Sequence, residues 1–162
     1  MPASYAVKKL KDFLSSSKKF VFVCIGNELR GDDHFGIYFG RKLLKTRFKS
    51  RTILAYSTPE AYLDEVLSKV PDVVVFVDAV QAGEKPGAIV VEEISIGSSV
   101  RVGVSTHSIP IEAVALLMQS MSSKALKFVV VGVQMGHVEF GKGMSKEVVE
   151  SANLLLNTIK GL

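Results

Sequence analysis

The chain has one cysteine, Cys24, so no internal disulfide can form, and a reducing compartment suits it. No apolar run approaches the length needed to span a membrane. The start, Met-Pro-Ala-Ser-Tyr-Ala-Val-Lys-Lys, has no signal-peptide plan. Charge of one sign is scarce, with a net +4. The lysines at 8, 9, 11, 42 and 45 read as solvated helix faces, and no nucleic-acid module is visible. No Gly-x-Ser-x-Gly elbow is present, which argues against a serine hydrolase. The glycines after the first strand lack the Lys-Ser/Thr ending of a phosphate-binding loop. Cys24 sits between Val23 and Ile25 and reads as an inert core thiol. These absences predict a cytoplasmic protein with neither nucleic-acid nor membrane partners; a monomer or weak oligomer is the working expectation.

Much of the chain is alternating strand and helix signal. All 162 residues read as a single domain, long enough to bury a core. Apolar residues at helical spacing from Ala6 to Leu14 predict an opening helix. Strands are predicted at Phe20 to Ile25, Arg51 to Tyr56, Val73 to Val77, Ala88 to Glu93 and Phe128 to Gln134. Helices are predicted from about His34 to Phe48, after a Thr58 cap with Pro59 in the first turn, through Val114 to Met121, and after a Ser145 cap. This alternation implies an α/β domain with a mainly parallel sheet. The strand starting at Ala88 follows the third after a Pro86-Gly87 turn with no helix between them, so it is predicted antiparallel at an edge.

The most informative stretch is Gly26-Asn-Glu-Leu-Arg-Gly-Asp-Asp-His-Phe-Gly36. A strand, a glycine-bracketed loop and a helix would ordinarily cradle phosphate, but Asp32 and Asp33 at the helix entrance would repel it. Paired carboxylates there point to a cation. In open α/β sheets, ligands bind beyond the carboxyl ends of the strands. Asp33 after the first strand, Asp78 ending the third and His107 after the fourth are predicted to reach one crevice. Two carboxylates and an imidazole suit nickel, zinc or manganese better than magnesium. Each residue also has a plainer reading: the aspartate pair favours a helix start, Asp78 caps a loop, and His107 is structural. His34 and His137 read as surface loop residues.

Gly26-Asn27-x-Leu29-x-Gly31-Asp32-Asp33 resembles the opening signature of the nickel–iron hydrogenase maturation endopeptidases. Val77-Asp78-Ala79 with Pro86-Gly87 is similar to that family's second acidic motif, Ser105-Thr106-His107-Ser108 to its histidine motif, and Gly132-Val133-Gln134 to its last strand. His34 stands where the family often has glycine, and Ser57-Thr58-Pro59-Glu60 matches loosely. The resemblance implies a three-layer α/β/α sandwich around a five-stranded sheet. It also implies an endopeptidase that removes the C-terminal peptide of a nickel-loaded [NiFe]-hydrogenase large-subunit precursor. Asp33, Asp78 and His107 are then the metal contacts and catalytic residues, the nickel being supplied by the precursor. By the same resemblance Asp33 is preferred to Asp32, which keeps a helix-terminus role. A non-catalytic docking or metal-delivery chaperone is the alternative, and a nucleotide-binding protein is a third.

Overall fold

The computed structural model describes residues 2–16, 19–96 and 109–162. Five strands form one sheet: β1 (Phe20–Ile25), β2 (Thr52–Tyr56), β3 (Val73–Val80), β4 (Ile89–Ile94) and β5 (Lys127–Gln134). Their order across the sheet is β2-β1-β3-β5-β4. The β1–β2, β1–β3 and β3–β5 pairs are parallel, and β4 runs antiparallel to β5 at the edge, as predicted. β4 does not pair with β3, the strand before it in the chain, because β5 lies between them.

Every residue of β1 and β3 is buried, which explains their unbroken apolar character. Alternate side chains feed two cores. Phe22, Cys24, Val75 and Val77 pack with α1 (Ala3–Ser15), α2 (Phe35–Leu43) and α5 (Lys146–Lys160). Val21, Val23, Val74 and Phe76 pack with α3 (Leu63–Ser68) and α4 (Ile111–Met121). The result is the expected three-layer sandwich. Among the described residues, no helix is long and apolar enough to cross a membrane.

Several element boundaries differ from the sequence expectation. The helix predicted from His34 to Phe48 is a 3-10 turn over Gly31–His34 followed by α2, which ends at Leu43. Thr46 Oγ1 donates to the Leu43 carbonyl at 2.7 Å, taking an acceptor that further helix would need. Thr58 does not cap with its side chain; its carbonyl instead accepts from Ala61 N and closes a 3-10 turn over Pro59–Tyr62. β3 runs on through Asp78 to Val80 because its ladder with β5 continues to Gln134.

Gly36 sets how α2 meets the sheet. A Cβ there would lie 1.9 Å from the Ile25 carbonyl oxygen and 2.6 Å from that of Val77. The helix therefore begins in contact with the carboxyl ends of both β1 and β3.

Candidate functional site

Chain progression across the sheet reverses between β1 and β3: β2 lies on one side of β1, while β3 and β5 lie on the other. This is the switch point at which open α/β sheets hold ligands. Asp33 follows the end of β1 and Asp78 lies near the end of β3, so both stand at the carboxyl ends of adjacent parallel strands. Both are buried, at 5% and 1% exposure.

The turn that carries Asp33 is built from its own sequence. Gly26 N donates to Tyr56 O across the β1–β2 edge. Asn27 Oδ1 accepts from Leu29 N at 2.9 Å, an Asx turn. Asn27 N donates to the Asp33 carbonyl at 3.1 Å, and Asp33 N donates to the Arg30 carbonyl at 3.0 Å. The loop is thus closed on itself before α2 starts.

Asp78 belongs by strand alternation with Val74, Phe76 and Val80, on the face covered by α3 and α4. Its register partner on β5 is Gly132. The orientation of α4 matters here. Lys124, just past its end, pairs with Asp72, just before β3, at 2.7 Å. The eleven residues of α4 then span about 16 Å, which directs Ile111 toward the carboxyl ends of the parallel strands.

His107 lies outside the described residues. β4 is antiparallel, and its last residue, Ile94, lies beside Phe128 at the start of β5. The carboxyl end of the fourth strand is therefore at the opposite end of the sheet from Asp33 and Asp78. What still relates His107 to the crevice is its place in the chain, shortly before the start of α4. Among the described residues, no group of three or more His, Cys, Asp or Glu gathers as a metal site. Asp33 and Asp78 are the two proposed ligands within that set.

Asp32 acts at a helix terminus, but its carboxylate serves that of α5 rather than the helix it precedes. Its side chain is fully buried and accepts from Gly136 N at 2.7 Å, His137 N at 3.0 Å, Ser145 N at 2.6 Å and Ser145 Oγ at 2.7 Å. Burial alone would raise its pKa, but the bonds from Ser145, His137 and Gly136 outweigh that and hold it below the ordinary value. Ser145 correspondingly makes no side-chain cap on its own helix. The glycine-rich stretch and a serine opening α5 were both visible in sequence; their shared partner, more than a hundred residues earlier, was not.

His34 and His137 are half-buried rather than surface residues, and His34 Nε2 and His137 Nδ1 are buried without a hydrogen-bond partner. Burial lowers the pKa of His34, with Arg41 adding to the effect and Glu28 opposing it. Gln134, in the segment that resembles the family's last strand, ends β5. Its Oε1 accepts from Ala82 N and Glu84 N, and its Nε2 donates to Gln81 Oε1 and the Met135 carbonyl, which fixes the turn leaving β3.

A family model described as HycI, hydrogenase maturation protease, matches residues 42–161. The chain belongs to the hydrogenase maturation protease family. This is a peptidase family, and the chain has its fold. A Methanocaldococcus jannaschii relative, provisionally named as a hydrogenase maturation protease, is 26% identical over 93% of this chain and 91% of its own. The crystal structure of a [NiFe] hydrogenase maturation protease HycI from Thermococcus kodakarensis superposes with TM-score 0.77 at 29% identity, covering 94% of this chain and 97% of that one. The solution structure of the endopeptidase HycI from Escherichia coli gives 0.73 at 21% identity, over 88% and 90% of the two chains. The latter likeness supports the fold alone.

Proposed function

We propose that this hydrogenase maturation protease removes the C-terminal peptide of a [NiFe]-hydrogenase large-subunit precursor that already carries nickel. The observation that carries the reading is the pair of buried carboxylates, Asp33 and Asp78, at the switch point of this family's fold.

Nickel enters as part of the substrate. Asp33, Asp78 and His107 supply further ligands to it, so that engagement reports whether the precursor is loaded. Carboxylate and imidazole donors fit a borderline divalent ion. A divalent ion of this kind polarises a carbonyl or acidifies water. In this reading Asp33 or Asp78 takes a proton from the attacking water as general base. The described part of the site shows no activated nucleophile: Cys24 is fully buried, and burial pushes its thiol pKa up. The protein acts in the cytoplasm as a monomer or weak oligomer, with the precursor as its partner.

The test is co-expression with each candidate precursor, with and without nickel, followed by mass measurement of the large subunit. Nickel-dependent loss of a C-terminal peptide is expected. Stable binding without cleavage would make the chain a docking or metal-delivery chaperone instead.

A further inference from the structure

Asp32 takes no part in the chemistry proposed above, yet its carboxylate accepts four hydrogen bonds. Its four acceptor contacts fall at the two ends of one loop. Gly136 and His137 open the glycine-rich stretch, and Ser145 closes it at the entrance to α5. One side chain thus staples both ends of that loop to the 3-10 turn Gly31–His34. The backbone repeats the attachment. Asp32 N donates to the His137 carbonyl at 2.9 Å, Gly31 N to that of Lys142 at 3.1 Å, and Gly141 N to that of Leu29 at 2.8 Å.

The fit around the carboxylate is close. A Cβ on Gly136 would lie 3.2 Å from Asp32 Oδ2 and 3.1 Å from Ser145 Oγ, so a side chain there would press on the staple. The negative charge also sits at the N-terminus of α5, where helix N–H groups and the dipole favour it. Asp32 therefore caps α5 from a distant part of the chain.

Asp33 is the next residue. Its own N–H and carbonyl are both engaged, by Arg30 and Asn27. With Asp32 held by its carboxylate and its N–H, the intervening peptide has little freedom to rotate. We propose that Asp32 is a positioning residue, which fixes Asp33 opposite Asp78 by clamping the turn to the Gly136–Ser145 loop. This rests on the reading of Asp33 as a site residue.

The experiment uses the full chain with three variants, D32N, S145A and D33N. D32N replaces one acceptor oxygen by an amide donor facing N–H groups. S145A removes the hydroxyl donor and leaves the three backbone bonds. Amide hydrogen exchange is measured at Asp33, Gly136, His137 and Ser145 and along β1 and β3, with kcat and KM for a nickel-loaded precursor. In D32N the four local amides should exchange at least about tenfold faster while the strand amides are unchanged. The kcat should fall by roughly 10–100-fold with KM within about threefold, since a small misplacement acts on the reacting geometry. S145A should move both readouts the same way by less. If D32N does not fold, S145A gives the decision by the same measurements.

A wild-type kcat per folded molecule in D32N overturns the proposal. So does exchange that rises uniformly across the sheet, which would mark a contribution to global stability alone. D33N separates the two claims. Undiminished cleavage by D33N would remove Asp33 from the site and leave the exchange pattern to judge the clamp itself.

Discussion

Asp78 stands directly opposite Gly132 in the parallel β3–β5 ladder. A buried carboxylate thus has a neighbour with no side chain, and the space a Cβ would take is filled by the Val80 methyl groups, 2.7 and 2.9 Å from it. The end of β3 is packed around this gap. Gly132→Ala should push Val80 aside, two residues from Asp78, and cost about 1–3 kcal/mol. Chemical denaturation and precursor cleavage measured together should both decline. Unchanged values for both would mean that the β3 end is softer than its packing implies.

Asp33→Asn and His107→Ala test the proposed ligands. Each should lower cleavage of a nickel-loaded precursor by roughly 10²-fold or more, the scale of losing a group that handles charge or a proton. Circular dichroism should show the wild-type fold. Full cleavage by the His107 variant would remove that residue from the site.

Asp32 gives the fold an acid-sensitive element. Its native pKa is below the ordinary 3.8, so its stabilising effect is complete above that value. It is lost progressively as pH falls from there through the lower native value. D32N should therefore be less stable than wild type at pH 7, with the two thermal midpoints converging in strong acid. Midpoints recorded from pH 7 down to pH 2 check this. A constant gap across that range would contradict the assignment.

Cys24 is fully buried, and burial raises its thiol pKa. A thiol-specific reagent should label the native protein far more slowly than the protein in denaturant. Prompt labelling of the native state would show that β1 opens readily.

Gly36→Ala would place a Cβ against two backbone oxygens that cannot move aside independently. A loss of about 3 kcal/mol is expected, at the upper end of the overpacking range. For a chain of this size that corresponds to a fall in melting temperature of roughly 6–12 °C, read by calorimetry.

The sheet was legible in sequence because β1 and β3 are buried on both faces and carry uninterrupted apolar runs. The antiparallel edge was legible because the link from Val80 to Ile89 is too short for a crossover. β1 and β3, at whose ends Asp33 and Asp78 were expected, are adjacent parallel strands. Other features depended on contacts that local pattern does not encode. Ser145 has the sequence position of an N-cap, yet its hydroxyl serves Asp32. Periodicity identifies which residues are buried; it does not identify a partner a hundred residues away.

The link between Asp32 and Ser145 also bears on the order in which the molecule is made. During synthesis, Asp32, Asp33 and Asp78 are available long before the residues that hold the turn in place. The loop from Gly136 to Ser145 must leave the ribosome before Asp32 has its partners, and α5 must follow before that loop is anchored. A nascent chain lacking its last helix would carry each aspartate of the crevice without the clamp that aligns them. The proposed clamp would therefore form only after α5 has been made.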